Sequence, residues 1–402
     1  MANMKICVVS AFPPSKDNIN APTALPYQIL KYSPPDAQIC LYYYPGPIKF
    51  QKIVDNDLSQ LELIKKIKIP FPNFFMQRYF NMRAKLRNFP SGVSIFPENR
   101  KIIGDINSFK PDIVWLYPHW LIDWIPLLKC QNIVVTGPDS ASLHSERVIR
   151  YGKWDSYNSI FIELMQYKKN INLEKSLGLT SAKVHFVGRE DLKKYFSLAK
   201  KNTNGFFKPH PITDYYPTKK RINSKMEKIR IIISGGAKTV YVGDHLSILI
   251  DGLVIFSEKL SPHYEFYFIG DGYEEYILLL ENAGYYVTQK KRVENYSEEL
   301  SNAQIQIFPI AVGTGTKGKV LHALSTGLLG IGSAFSYENI EVIPGKDCIL
   351  YHEPEEIVHF LEDILADKSL YEKIAEQGAV KTRTNHASEK VCHLFWEEVL
   401  KK

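Results

Sequence analysis

The sequence predicts an α/β protein made of two doubly wound domains, each built round a parallel sheet. Three observations carry the prediction. Apolar runs of five or six residues, such as Lys5–Ser10 and Ile305–Pro309, alternate with stretches long enough for helices, which is how strands buried on both faces of a parallel sheet read. A strand that ends in a loop and leads to a helix opens the chain, and the same arrangement begins again near Lys228. Between the two series, Phe207–Ser224 holds three prolines and a basic run, the composition of a linker.

In chain order, the first series has a strand over Lys5–Ser10 broken by Pro13-Pro14, a helix over Pro22–Lys31, and a strand over Ile39–Tyr43. Lys110–Tyr117, led in by a Pro-Asp turn, and Asn132–Thr136 are further strands. The second series opens with a strand from Lys228 that stops at Gly235-Gly236, then an amphipathic helix over His245–Lys259 and a strand and turn over Tyr264–Gly272. Strands at Tyr286-Val287, Ile305–Pro309 and Leu328–Gly332 follow, with helices over Lys319–Ser325 and Pro354–Ala366. The last helix, Ser388–Lys402, carries Phe395 and Trp396 and suits docking outside its own domain. The expected division is a Rossmann-like domain over 1–213, a second over 214–387, and a C-terminal helix over 388–402 that crosses back to the first.

Composition narrows the function. At 402 residues, 45% hydrophobic and 23% charged, the chain is globular, not disordered, collagen-like or coiled coil. Residues 1–215 carry 29 basic and 17 acidic side chains, a net +12, and residues 216–402 carry 21 and 26, a net −5. Two halves of opposite charge face different partners. Five scattered cysteines with no C-x-x-C pair fit a reducing cytosol and argue against a disulfide framework or a structural zinc site. The N-terminus lacks the apolar core of a signal peptide, and the most apolar window, Ile113–Leu128, is too short to span a bilayer.

The most specific segment is Pro309–Gly327, PIAVGTGTKGKVLHALSTG. A strand ends at Pro309, glycines recur at 313, 315 and 318, and a helix starts near Lys319. Such a loop presents backbone N–H groups and a helix N-terminus to a diphosphate. Lys317 and Lys319 add positive charge at the same place.

With these residues in hand, the second half resembles the donor-binding domain of GT-B nucleotide-sugar glycosyltransferases, in particular the large retaining family 4 type. Gly313, Gly315, Lys319, Leu321, Ala323 and Gly327 match the family pattern in spacing. Gly270-Asp271-Gly272 resembles its GDG turn, and Ser234-Gly235-Gly236 its first C-domain loop. Glu338-Asn339-Ile340, Gly345-Lys346-Asp347 and Pro354-Glu355-Glu356 follow its closing order. The match covers most of residues 228–366, and the first half agrees more loosely. The chain departs from the family at three places. Thr314 and His322 stand where members often place two glutamates eight residues apart, and Gly236 stands where an arginine is usual. A neutral His322 can still accept the ribose hydrogen bond that the second glutamate ordinarily takes, and Lys238, Lys317 or Lys319 must supply the phosphate charge.

The resemblance implies a GT-B architecture of two Rossmann-like domains facing a cleft. The donor would lie on the C-terminal domain, at Gly235, Gly236, Lys238, Gly270, Gly313, Thr314, Gly315, Thr316, Lys317, Lys319 and His322. The acceptor would lie on the N-terminal domain, near the loops after Ser10, Tyr117 and Thr136. His119 follows a strand end; similar enzymes place a histidine of this loop against the transferred sugar, slightly earlier and nearer Tyr117, and the alternative for His119 is a structural role. Asp139, also at a strand end, either positions acceptor hydroxyls or caps the next helix. Those two are the catalytic candidates. The Asp55-x-Asp57 pair reads as solvated, and neither a metal nor another cofactor is expected beyond the nucleotide diphosphate sugar itself.

One segment stands apart. Leu63–Arg87 mixes Lys65, Lys66, Lys68, Arg78 and Arg83 with Phe74 and Phe75, a composition that suits docking at an anionic membrane surface. A core helix with a solvated basic face is the alternative; nucleic acid is not expected as a partner, because no binding motif accompanies the patch. Together these readings describe a cytoplasmic enzyme, peripheral at the inner face of the cell membrane, that transfers a sugar to a hydroxyl of a lipid-linked glycan in cell-surface polysaccharide biosynthesis. A sugar-nucleotide epimerase of the same fold and a noncatalytic sugar-nucleotide-binding subunit are the alternatives.

Overall fold

A computed structural model describes residues 4–16, 22–152, 154, 157–199, 204–212, 215, 217–218, 222 and 228–401. The chain divides into two compact units, one of Met1–Glu146, Tyr157–Thr213 and Ser388–Lys402, the other of Arg147–Ser156 and Asp214–Ala387.

The first unit holds seven strands: β1 Lys5–Ser10, β2 Gln38–Tyr43, β3 Lys65–Lys68, β4 Ile113–Tyr117, β5 Ile133–Thr136, β6 Lys183–Phe186 and β7 Gly205–Phe207. They pair in the order β3-β2-β1-β4-β5-β6-β7, all parallel. The two faces of the sheet explain its unbroken apolar strands. Cys7, Val9, Val114, Leu116 and Val135 pack on one side, against the Arg100–Phe109 helix and Trp124. Ile6, Val8, Trp115 and Val134 pack on the other, against the Ala24–Lys31 helix and the Ser388–Leu400 helix. The C-terminal helix is fixed there by Trp396, whose indole N–H donates to the Ile29 carbonyl at 3.0 Å, and by Asn132, whose amide donates to Val399 O at 2.7 Å.

The second unit holds β8 Ile229–Ser234, β9 Tyr264–Ile269, β10 Tyr286–Lys290, β11 Ile305–Phe308, β12 Leu329–Gly332 and β13 Ile349-Leu350. Their order is β10-β9-β8-β11-β12-β13, again parallel. Ile231, Ile233, Phe266, Phe268 and Ile307 meet Leu249, Ile250 and Leu253 of the His245–Ile255 helix in its core. Each sheet therefore reverses its strand order once, between β1 and β4 and between β8 and β11. In open α/β sheets, ligands bind at the carboxyl ends of the strands beside that reversal.

Several expected elements end elsewhere. The helix expected over His245–Lys259 stops at Ile255, and a separate turn of helix covers Ser257–Leu260. The Leu63–Arg87 segment is a strand, β3, followed by the Phe74–Leu86 helix. Asp57 is buried, not solvated: its carboxylate accepts from Ser15 Oγ at 2.7 Å and Lys16 N at 2.9 Å. Much of the Phe207–Ser224 linker lies outside the described residues.

Candidate functional site

The carboxyl edge of the second sheet is built from glycine. Gly235, just past β8, has φ +133°, and Gly270, just past β9, has φ +137°. A Cβ on Gly270 would stand 1.8 Å from the Gly235 carbonyl oxygen, so the two turns touch backbone to backbone and only glycine fits. The contact is locked by Gly235 N–H donating to Ile269 O at 2.9 Å and Ala237 N–H to Asp271 O at 3.0 Å.

Across the strand reversal, the loop after β11 meets this edge. Its first residues are tied to the loop after β8, since Ala311 and Val312 both donate to Tyr241 O, at 2.7 and 3.2 Å. From Gly313 the backbone carbonyls are turned back into protein. Arg147 Nη1 donates to Gly313 O at 2.8 Å, and Lys317 Nζ donates to Thr314 O at 2.7 Å and Gly315 O at 3.1 Å. Gly313 leaves the room that the Lys317 stem fills. The amides of Thr314 and Gly315 have no hydrogen-bond acceptor among the described residues. The same is true of Gly318 and Lys319, the first two residues of the Gly318–Thr326 helix, whose N-cap Lys317 makes no side-chain cap.

Lys319 completes the arrangement. Its ammonium lies 3.7 Å from where a Gly235 Cβ would be, so it spans from the β11 loop to the end of β8. It makes no hydrogen bond or ion pair among the described residues. The side chain is exposed but hemmed in by protein, and this desolvation lowers its pKa from the usual lysine value. Unpaired N–H groups at a helix N-terminus beside an unpaired ammonium are an arrangement suited to an anion.

The remaining donor-side candidates divide. Lys238 is exposed, with its stem against Gly272. Lys317 is spent on its own loop. His322 is half-buried: Nε2 is 2.7 Å from Ser297 Oγ and its ring meets Tyr296 edge-on at 5.5 Å. Below them Gln306 donates to Ser234 Oγ at 2.9 Å and Tyr296 OH at 3.0 Å, a buried polar layer under the site. Arg147 and the Tyr296–Ser297 pair carried no signal in the sequence, because their partners lie in distant segments. Thr316, between the glycines, is half-buried.

At the carboxyl edge of the first sheet the materials differ. His119, after β4, is buried against Gly137, and its Nε2 is enclosed without a hydrogen-bond partner among the described residues. Burial lowers its pKa to about 4, so the imidazole is neutral and is not a base poised near neutrality. Trp120 stacks on Phe96 at 6.0 Å and meets Phe12 at 5.9 Å. Asp139 is exposed, and the capping role falls to its neighbour, since Leu143 N donates to Ser140 Oγ at 3.2 Å. Among the described residues no cluster of three or more His, Cys, Asp or Glu side chains is placed to share a metal ion.

Solved structures with this architecture match the chain over nearly its whole length. HepE of Anabaena, in complex with UDP and glucose, superposes with a TM-score of 0.65 at 11% identity, covering 98% of this chain and 99% of that one. Sucrose-phosphate synthase of Thermosynechococcus elongatus gives 0.67 at 11%, with 98% of each chain covered. WaaG, a glycosyltransferase involved in lipopolysaccharide biosynthesis, gives 0.64 at 14%, with 99% of this chain and 100% of that one. The chain has the GT-B fold. At these identities the likeness is one of fold; no protein-family model matches the sequence, and no curated protein matches it by sequence alone. Within the GT-B frame, the free amides and Lys319 lie at the strand reversal of the second Rossmann-like sheet, and His119 at that of the first.

Proposed function

We propose that this GT-B protein is a glycosyltransferase that moves a sugar from a nucleotide diphosphate sugar to a hydroxyl of a lipid-linked glycan in cell-surface polysaccharide assembly. The observation that carries the reading is the Lys319 ammonium, unpaired and partly desolvated, beside the free amides of Thr314, Gly315, Gly318 and Lys319 itself. Those groups stabilise the charge that develops on a departing diphosphate. HepE has been crystallised with UDP-glucose, which is consistent with such a donor here. On this reading residues 214–387 bind the donor, and Gly235, Gly236, Lys238 and Gly270 complete the cradle. Residues 1–213 bind the acceptor near His119 and Asp139, and transfer proceeds with retention and without a metal.

The same reading places the enzyme at the inner face of the cell membrane. No helix among the described residues is long and apolar enough to cross a bilayer. The Phe74–Leu86 helix presents Phe75, Tyr79, Met82 and Leu86, at helical spacing, to solvent. Arg78 and Lys85 flank that stripe on the same helix, Lys66 is exposed on β3, and none of the three makes an ion pair among the described residues. An apolar stripe rimmed by free cations is complementary to an anionic lipid surface. Lys65 and Lys68 contribute less, being paired with Asp105 and Asp55, and Arg83 faces inward on Glu98 and Asp123.

A thermal-shift screen over UDP-, GDP-, ADP- and CMP-sugars tests the donor claim. A diphosphate-linked donor at a hundred times its Kd should add about 2.7 kcal/mol to stability. The claim is overturned if none of them stabilises the protein, or if only the CMP-linked sugars do, since these carry a single phosphate. Conversion of the stabilising donor in the absence of any acceptor would establish the epimerase instead.

A further inference from the structure

We infer that Arg147 is a positioning residue for the anion-binding loop, an inference that rests on the diphosphate reading of that loop. Arg147 lies in the 147–156 segment that clusters with the second unit. Its guanidinium makes three short contacts to described residues at once. Nη1 donates to Gly313 O at 2.8 Å and to Glu338 Oε2 at 2.6 Å, and Nη2 donates to Glu338 Oε1 at 2.7 Å. The carboxylate grips the fork with both oxygens, which fixes the guanidinium plane. The Phe335 ring, 5.4 Å away, supports the same group. Both partners are largely buried, at 16% and 14% side-chain exposure.

The physical need is specific to an amide cradle. Glycines at 313 and 315 let the peptide planes rotate, and a rotated plane would aim a carbonyl oxygen where an N–H should point. Anion binding therefore requires that the carbonyls be held back. Lys317 holds two of them from inside the loop. Arg147 holds the third from a residue 166 positions away, and through Glu338 it braces the β11 loop against the segment after β12. Arg147 does not contact the diphosphate in this account; it acts through Gly313. Removing it has two consequences, a Gly313 peptide free to turn and an unpaired Glu338 carboxylate near the anion.

Calorimetric Kd values for UDP, GDP and ADP, each beside its nucleoside, separate these effects in the full-length protein. Arg147→Gln should weaken the bound nucleoside diphosphate about tenfold and leave the nucleoside within twofold. Adding Glu338→Gln should recover part of the loss by removing the stray charge, and Arg147→Lys should also recover part, having one donor for Gly313 O. Undiminished nucleoside diphosphate binding in Arg147→Gln overturns the inference, and so does an equal loss for nucleoside and diphosphate, which would mark a general fold defect. If the unaltered protein binds none of the three diphosphates, the functional reading fails and this inference fails with it.

Discussion

The two sheets share a strand order and differ in what stands at the reversal. In the first unit the carboxyl edge is largely aromatic, with Phe12, Phe96, Trp120 and a buried His119, beside the exposed Asp139. In the second it is glycine, backbone amide and cation, with Gly235, Gly270, Gly313, Gly315 and Lys319. Topology decides where a ligand is received, and the side chains there decide which kind. An amide-and-ammonium edge is complementary to an anion such as the proposed diphosphate, whereas an edge rich in aromatic surface is complementary to a ring-shaped group. Even the glycines serve different ends. Gly137 makes room for a side chain, with His119 Nδ1 3.0 Å from its would-be Cβ, whereas Gly270 makes room for a backbone.

That last contrast yields the largest expected effect. Gly270→Ala must displace the Gly235 carbonyl and force an L-residue into φ +137°. A loss of about 3–5 kcal/mol is expected, read as a fall in the denaturation midpoint of the second unit. Gly137→Ala has a ring to push against and should lose about 1 kcal/mol. Equal losses would break the distinction between the two edges.

Next in size is the charge at the second edge. Gly315 sits at φ +65°, a conformation that aspartate tolerates, so Gly315→Asp adds a negative charge with little strain. Combined with Lys319→Ala, it should weaken nucleoside diphosphate binding about a hundredfold, or about 3 kcal/mol, with the folding midpoint nearly unchanged. Unaltered binding or transfer in that variant would remove the diphosphate from this loop.

The strands that build both edges were legible because a parallel sheet buries them on both faces, leaving continuous Val and Ile runs such as Ile231–Ile233. What escaped were elements with too little apolar content to announce themselves. The edge strand β3 reads Lys-Lys-Ile-Lys, exposed on its outer side, and β7 is a three-residue strand. The glycine loop was visible from its spacing. The inward turn of Lys317 was not, because a lysine beside glycines looks the same whether it faces a ligand or its own carbonyls. Arg147 gave no sign at all: its partners lie 166 and 191 residues away, and only the fold brings them together. Asp57 misled for the converse reason, since a polar neighbourhood in sequence concealed the Ser15 and Lys16 contacts that bury it.

The first edge has its own signature in pH. Burial lowers His119 to about 4 and His185, on β6, to about 3, while an unfolded histidine titrates near 6.5. Between those values the unfolded chain binds more protons than the folded one, so stability rises with pH there. The contribution is fully present above about pH 6.5 and is lost as pH falls toward 4, with a slope of up to about 1.4 kcal/mol per pH unit for each ring. Thermal unfolding between pH 7 and 4.5 should show the first unit falling, and His119→Asn should flatten its slope. The same slope in that variant would mean the imidazole is solvated and charged, and the apolar character of this edge would be wrong.

The smallest effect separates two arginines on one helix. Arg78 is exposed and unpaired among the described residues, while Arg83 is pinned to Glu98 at 2.5 Å and Asp123 at 2.6 Å. If the Phe74–Leu86 helix docks on anionic lipid, Arg78→Ala should weaken binding to vesicles containing phosphatidylserine or phosphatidylglycerol by about 1 kcal/mol, near fivefold. Phe75, 80% exposed, should matter as much through its apolar area, so Phe75→Ser should reduce flotation on the same vesicles without lowering stability. Arg83→Ala should instead lower stability, because it leaves two carboxylates with only Arg87 opposite Asp123. Binding that is indifferent to anionic lipid, or that falls equally in all three variants, would return this helix to an ordinary basic surface and leave the charge difference between the two halves without a membrane to explain it.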